Sequence, residues 1–493
     1  MNKTARGLTF LCFPLCTLMI IFLIACQKKA DPAFTETSFP DEIEEIILNK
    51  CATSGCHNDK SFVNAANLNL SSWQTLFEGS VNGAVVIPFA PEHSSFLQFI
   101  NTYEDLGIIA EPTMPVNGTP LTRDEVMLMK QWVIQGCPNK KGEVAFESNP
   151  ETRAKAYISN QGCDLVSVVD AQTGLVMRTV KVGADDSQIE LPHCLRTAPD
   201  GKYWYVCFAN GTVVQKFETN GDKLVAQVNI GAGAWNIIKI APDSKTAFVS
   251  DLSANGKFAI IDLDKMILKS VLSGSGLFTF PHGMETSADG DTLYATAQYG
   301  NLIYRIIPAV PQVDQIVLAK GQAPSTNPQL LDPHEILSWT EKKLHFITCQ
   351  ASNEVKVLRA GVDTVMYTIP VGTYPLEMSL SKKRNLLFVV CQEEGNPIFP
   401  FFKGSVHVID LNTMTVVRKV YEKFYQPHGV AVDDDLDILY VSSRNADPTG
   451  PAPHHISSCA GRNGFYHIID LNTWQLKRPP AEISVDPYSL DIR

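Results

Sequence analysis

The chain has 493 residues, of which 45% are apolar and 19% are charged, and its formal net charge is −11. This length is greater than one ordinary hydrophobic core requires and favours two domains. The acidic balance argues against a nucleic-acid partner, which would require basic patches.

The first 25 residues predict an export signal. Two positive residues, Lys3 and Arg6, precede an almost wholly apolar run that ends at Ala25. The residues Leu23-Ile24-Ala25-Cys26 resemble the bacterial lipoprotein box, and this resemblance implies a lipid anchor on Cys26 followed by a tether over residues 26–38. The apolar run is also near the length that spans a bilayer, so an uncleaved anchor is the alternative. Both interpretations hold the protein on a membrane of the bacterial cell envelope, facing the periplasm or the cell exterior.

Residues 39–139 have mainly helical periodicity and are predicted to form a small all-α domain. The pattern predicts a short helix from Pro40 to Lys50 and a second from Ser95 to Tyr103. A third begins at the capping box Thr122-Arg123-Asp124-Glu125 and ends at Gly136. The polar stretch 140–153 is predicted to be an interdomain linker.

The motif Cys51-Ala52-Thr53-Ser54-Gly55-Cys56-His57 points to a covalently bound haem. In a c-type haem site, each of two thiols adds to a vinyl group of the porphyrin, and the histidine that follows binds the iron as proximal ligand. Four residues separate the cysteines here instead of the usual two, and Cys and His also recur in zinc sites. A tetrahedral zinc site needs four ligands, however, and the next 100 residues add only His93 and Cys137, far apart.

The same region offers a sixth ligand for a haem iron. Met114 lies between Pro112 and Pro115, in a loop that the two prolines stiffen. A thioether opposite a histidine gives six-coordinate iron of raised potential, which suits electron transfer. Met114 is therefore the predicted distal ligand, and His93 is the rival ligand.

The segment 39–139 resembles the cytochrome c domain that is common in planctomycetes and Bacteroidetes, in which four residues between the cysteines are frequent. This resemblance implies thioether bonds at Cys51 and Cys56, a proximal His57, a distal Met114 and one haem c. The matching stretches, which follow in order around the haem motif, are Ile46–Cys51, Leu68–Leu70, Pro91–Leu97, Met114–Leu121 and Lys130–Gly136.

From Ala154 the pattern changes to short β-runs that repeat, each with an aromatic residue in one strand. The repeat period of 42 to 52 residues predicts an all-β propeller of seven blades over residues 154–493. The first unit opens on a second strand and the chain closes on an innermost one, so the two ends are predicted to complete one blade. The units resemble the YVTN-type repeats of bacterial extracytoplasmic propellers. The seven aromatic residues are Tyr157, Tyr205, Phe248, Tyr294, Phe346, Phe388 and Tyr440.

A histidine or an aromatic residue recurs just before most of the innermost strands, where equivalent points surround one mouth of the central channel. Because neutral imidazole binds copper, zinc and iron, four of these histidines form a candidate site for a second metal or a substrate. The alternative is that Pro-His-Gly is a common turn whose histidine bonds to the backbone. The dipeptides are Pro192-His193, Ala234-Trp235, Pro281-His282, Pro333-His334, Pro375-Leu376, Pro427-His428 and Pro487-Tyr488.

Two long loops are predicted at the same end of the propeller, over residues 392–404 and 442–464. The second of them carries His454, His455 and Cys459. Disulfides are permitted outside the cytoplasm, but no pairing follows from the sequence. Three other cysteines, Cys207, Cys349 and Cys391, are predicted to be small buried hydrophobes.

Three functions remain open at this stage. The first is a membrane-anchored electron carrier with one haem c, whose propeller docks a redox partner protein or a small-molecule substrate. The second is an oxidoreductase with a metal or substrate at His193, His282, His334 and His428. The third is a surface protein that binds a partner through its propeller. The sequence favours the electron carrier over a turnover enzyme.

Overall fold

The structure, a computed structural model, describes residues 37–148, 150–274, 276–310 and 312–493. The predicted signal, Cys26 and most of the tether lie outside the described residues. Residues 38–493 form one compact unit. Within the described part of the chain, no helix is both long and apolar enough to cross a bilayer.

The α-helices of the described chain precede the first strand. They enclose a small core in which Phe39, Ile47, Met129 and Val133 are fully buried. A π-helical turn over Ile47–Cys51 continues the first helix, and 3-10 turns lie at Phe62–Asn64, Pro91–His93, Glu104–Leu106, Gln161–Cys163 and Thr340–Lys342. The helices are α1 (Asp41–Ile46), α2 (Trp73–Leu76), α3 (Ser95–Ile100) and α4 (Arg123–Ile134).

The predicted capping box of α4 is confirmed. The Thr122 hydroxyl accepts a hydrogen bond from the Glu125 amide at 3.3 Å, and the Glu125 carboxylate accepts one from the Thr122 amide at 2.6 Å. The predicted extension of α3 to Tyr103 is wrong. The side chain of Asn101 accepts a hydrogen bond from the amide of Tyr103 at 2.9 Å, which offers the backbone an alternative to another helical turn.

The strands form seven antiparallel sheets, each of which runs from an innermost to an outermost strand. The first three sheets in chain order share this four-stranded plan. They are β29 (Pro487–Ile492), β1 (Lys155–Asn160), β2 (Leu165–Asp170) and β3 (Leu175–Lys181); β4 (Pro192–Thr197), β5 (Tyr203–Phe208), β6 (Val213–Glu218) and β7 (Leu224–Asn229); and β8 (Trp235–Ile240), β9 (Thr246–Asp251), β10 (Lys257–Asp262) and β11 (Ile267–Ser273).

The other four sheets repeat the plan, and the last adds a fifth strand that pairs with its third. They are β12 (Pro281–Thr286), β13 (Leu293–Ala297), β14 (Leu302–Ile307) and β15 (Gln312–Val317); β16 (Pro333–Trp339), β17 (Leu344–Cys349), β18 (Glu354–Arg359) and β19 (Thr364–Pro370); β20 (Pro375–Ser381), β21 (Leu386–Gly395), β22 (Lys403–Asp410) and β23 (Thr415–Val420); and β24 (Pro427–Asp433), β25 (Ile438–Ser443), β26 (Asn463–Asp470), β27 (Gln475–Leu476) and β28 (Ala481–Val485).

The seven-bladed propeller is therefore confirmed, as is the way its ring closes. The last strand, β29, pairs with β1, and Leu490 lies opposite Ile158 in that pair. The two ends of the propeller thus share one sheet, and the inner side of β1 is not left as a free edge.

The insertion loop (residues 444–462) connects β25 to β26 and is fastened to the first blade. A disulfide joins its Cys459 to Cys163, in the turn between β1 and β2, with the two Cα atoms 5.5 Å apart. The disulfide pairs residues 296 positions apart.

The predicted burial of Cys207, Cys349 and Cys391 is confirmed, since all three are fully buried.

Replacement of Leu490 by alanine tests the closure of the ring. Leu490 is 5% exposed and packs in a core shared by the first and last blades. Its truncation should lower the free energy of unfolding by about 2–5 kcal/mol. The control Leu224→Ala removes a leucine that is 49% exposed on β7 and should change this energy by less than about 0.5 kcal/mol. Urea denaturation measures both, and equal stabilities would contradict the observed closure.

The disulfide can be tested by double-mutant analysis. Cys459→Ser and Cys163→Ser should each lower stability by about 2–4 kcal/mol and speed amide hydrogen exchange over residues 453–460. Because both substitutions remove the same bond, the double variant should be no less stable than either single variant. Additive losses would show that the two thiols act separately.

Candidate functional site

The two cysteines and the histidine of the motif lie on one tight loop. Cys51 ends the π-helical turn, and its carbonyl accepts a hydrogen bond from the His57 amide at 3.2 Å. The Cys56 amide donates to the carbonyl of Thr53 at 3.0 Å, which folds the four intervening residues into a turn. The longer spacing is thereby absorbed within the loop, and Cys51, Cys56 and His57 all line one cavity of about 410 Å³.

A backbone hydrogen bond holds the His57 ring in one orientation. Its Nδ1 lies 3.1 Å from the carbonyl oxygen of Leu68, which can only accept, so Nδ1 carries the proton. The other ring nitrogen, Nε2, then keeps a free lone pair, as a metal ligand requires. Burial lowers the pKa of His57, which also favours the neutral ring.

Met114 lines the same cavity, on a loop that is hydrogen-bonded to α3. The Met114 amide donates to the carbonyl of Phe99 at 2.7 Å, and Pro112 and Pro115 line the cavity beside it. The rival ligand His93 lies elsewhere, on a separate cavity of about 70 Å³. The structure therefore brings together the thiols, the imidazole and the thioether that the sequence selects, and it leaves His93 out.

The remaining wall fits an apolar, planar cofactor. It contains the aliphatic and aromatic side chains of Leu68, Leu70, Val85, Phe96 and Ile100. Two thiols, an imidazole with a free Nε2 and a thioether in an apolar cavity form the donor set of a covalently bound haem with histidine and methionine axial ligands. The residues that are present therefore fit this cofactor.

The insertion loop contributes to this cavity from the propeller. His454 and His455 both line it, and the His454 ring lies 5.2 Å from the ring of Phe99 on α3. The Glu482 carboxylate accepts a hydrogen bond from the backbone amide of each histidine, and the side-chain amide of Gln98 donates to the carbonyl of Ile456 at 3.0 Å. The sequence predicted this loop at the propeller mouth, but only the tertiary structure brings its histidines to the helical segment.

Four histidines also meet at one end of the central channel, as the sequence predicted. Each is the second residue of an innermost strand, and Tyr488 joins them, with its ring centroid 3.6 Å from that of His428 and 4.3 Å from that of His193. We call them the ring histidines: His193 on β4, His282 on β12, His334 on β16 and His428 on β24.

The predicted place of Trp235 in this ring is wrong by one residue. Trp235 pairs with Asp251 as Pro281 pairs with Ala297, so Asn236 occupies the position of the histidines. The indole of Trp235 instead donates to the carbonyl of Gly231 at 2.7 Å.

Glycine after two of the ring histidines lets the innermost strands approach closely. A Cβ on Gly283 would lie 2.7 Å from both the Glu335 Cα and the His334 carbonyl oxygen. A Cβ on Gly429 would lie 2.6 Å from the carbonyl oxygen of Tyr488. The glycine of the Pro-His-Gly triplet therefore has a packing role.

Comparisons with known proteins support the fold. No protein-family model and no curated protein matches the sequence. A solved structure of a functionally unknown protein from Desulfotomaculum acetoxidans DSM 771 is 14% identical, with a TM-score of 0.51 over 69% of this chain and 98% of that one. Kuenenia stuttgartiensis hydrazine synthase is also 14% identical, but its TM-score of 0.44, over 59% of this chain and 79% of that one, is too low to carry an argument. At this identity the likeness shows the fold alone, and the chain is a seven-bladed β-propeller protein with a helical segment before the first blade.

Proposed function

We propose that this protein is a c-type cytochrome that transfers electrons through one haem bound covalently to Cys51 and Cys56. The observation that carries the proposal is the convergence of both thiols, His57 and Met114 on one largely apolar cavity. In this proposal His57 is the proximal ligand and Met114 the distal ligand of the iron.

Several residues of the chain would position a bound haem and its two axial ligands. The bound haem supplies a one-electron iron couple, and a methionine ligand raises its potential. Leu68 fixes the tautomer of His57 through its carbonyl oxygen, and the Phe99 carbonyl fixes the backbone of Met114. The insertion loop contributes His454 and His455 to the wall of the cavity.

The propeller is proposed to dock a redox partner protein. Residues 396–402, which connect β21 to β22, expose Ile398 at 60% and Phe401 at 63%. This connection follows the second strand of its blade, as the insertion loop does, and so lies at the same end of the propeller. Apolar side chains that are exposed together are frequent where proteins associate.

The proposed location is the bacterial cell envelope, with the chain anchored to a membrane through Cys26 and facing the periplasm or the cell exterior. This part of the proposal is supported by the sequence of residues 1–26. A periplasmic or external location agrees with the disulfide between Cys163 and Cys459, since such bonds persist in oxidising compartments.

Covalent attachment is tested by substitution of the two cysteines. The full chain, matured in a host that attaches c-type haem, should increase in mass by one haem. This haem should remain on the chain during denaturing electrophoresis. Cys51→Ala/Cys56→Ala should lose this haem because it lacks both thioether donors. Cys137→Ala is the matched control, since Cys137 is a buried free cysteine of the same segment and should keep the haem. Retention of the haem by the double variant would contradict the proposal.

The distal ligand is tested separately. Met114→Ala should abolish the low-spin, methionine-ligated absorption spectrum and lower the midpoint potential, while the covalent haem remains. Met127→Ala is the control, because Met127 lies on α4 with its side chain 41% exposed. An unchanged spectrum in the Met114 variant would refute Met114 as ligand without affecting the assignment of the cysteines.

A further inference from the structure

We propose that the propeller holds a divalent transition-metal ion, bound at the channel mouth by His334, His428 and Glu377. One ligand atom from each of these three side chains lies within 4.8 Å of the other two. Among the residues that the structure describes, this is the one place where three ligating side chains of this kind converge so closely. Glu377 was not selected by the sequence, because its repeat carries leucine in place of the ring histidine.

The separation of the ligand atoms is close to what one ion requires. In a tetrahedral site, metal–ligand bonds of about 2.0–2.2 Å place the ligand atoms about 3.3–3.6 Å from one another. Closure of the site therefore needs side-chain shifts of less than about 1 Å. Two imidazoles and a carboxylate, with further positions open, form a donor set that binds zinc or ferrous iron.

Hydrogen bonds leave the required lone pairs free. His193 Nδ1 lies 2.9 Å from the side-chain oxygen of Gln161, and His282 Nδ1 lies 3.0 Å from the carbonyl oxygen of His334. His334 Nδ1 lies 3.3 Å from the side-chain nitrogen of Gln298, and a 180° rotation of that amide would place its oxygen there as an acceptor for an Nδ1 proton. In these three rings a protein group contacts Nδ1, which leaves Nε2 as the potential ligand atom. In His428, within the described part of the chain, Nδ1 is the nitrogen without a partner.

The free nitrogens are buried, and this is costly without a ligand. In the described part of the chain, no hydrogen-bond partner lies near Nε2 of His193 and His334 or near Nδ1 of His428. An unsatisfied buried polar atom costs about 1–3 kcal/mol. In the alternative interpretation, each histidine belongs to a turn and bonds to the backbone. This accounts for the bond made by His282 Nδ1, but it does not account for the three buried nitrogens named above.

Charged side chains of both signs lie near this site. Arg444 lies 4.8 Å from the centre of the Tyr488 ring and forms an ion pair with Asp486 at 2.6 Å. Glu335 and Glu377 are carboxyls of two innermost strands, and the Arg196 guanidinium lies 3.8 Å from the Glu377 carboxylate. A divalent cation would stabilise the ionised forms of these two carboxyls.

A cavity inside the propeller adjoins one of the proposed ligands. Glu335, Glu377 and Arg196 also line a cavity of about 380 Å³ among the innermost strands. Glu377 thus lies both at this cavity and beside the ring histidines.

Zinc binding to the untagged, haem-loaded full chain tests the proposal. After chelation, calorimetric titration with Zn²⁺ should show one site per chain. His334→Ala/His428→Ala and Glu377→Gln should abolish stoichiometric binding, and Gln298→Ala, which removes the group that holds His334, should weaken it about 10- to 100-fold. His345→Ala is the matched control, because His345 is a buried histidine of β17 outside the ring and its loss should leave the affinity unchanged.

A second measurement keeps the test independent of the folding of the variants. X-ray absorption at the zinc edge of the loaded wild-type protein should show imidazole nitrogens and a carboxylate oxygen at about 2.0–2.2 Å. The absence of stoichiometric zinc in the wild type, or binding that persists in His334→Ala/His428→Ala, would overturn the proposal. Either result would leave the haem assignment untouched, since the haem is read from its own absorption spectrum.

Discussion

The architecture depends on the pairing of the last strand, β29, with β1. This pairing closes the seven sheets into a ring and brings the starts of all innermost strands to one mouth of the channel. It also brings Tyr488 into contact with His428 and His193, residues from other blades. Without this closure the ring histidines would lie along an open arc, and the insertion loop would lose the neighbouring blade to which Cys163 fastens it.

The two candidate sites use the rigid propeller in different ways. The cavity that contains Cys51, Cys56, His57 and Met114 is built by the helical segment, and the propeller only completes its wall through the insertion loop. The channel site is built wholly by the starts of the innermost strands, where glycines such as Gly283 permit a close approach of backbones. A loop on a rigid scaffold thus covers one site, while the scaffold itself forms the other.

Much of this arrangement follows from the sequence, because the signals concerned are local. The repeated aromatic strands predicted seven blades, the Thr122 capping box predicted the start of α4, and the haem motif with Met114 selected residues that share one cavity. The failures arise where tertiary register decides. The sequence placed Trp235 where the structure has Asn236, an error of one residue in register. Glu377 could be recognised as a candidate ligand only once β20 was placed beside its neighbours in the ring. The disulfide pairs residues 296 positions apart, a contact on which no local pattern bears.

The central claim is that one covalent haem with histidine and methionine ligands carries electrons in this protein. A potentiometric titration of the purified full chain, followed by optical absorption and accompanied by iron and zinc analysis, tests it most directly. We expect one haem iron per chain and a low-spin c-type spectrum. We also expect one reversible one-electron transition that accounts for the whole change in haem absorbance. A chain that carries zinc but no haem, or a haem that cannot be reversibly reduced and oxidised, would contradict the claim.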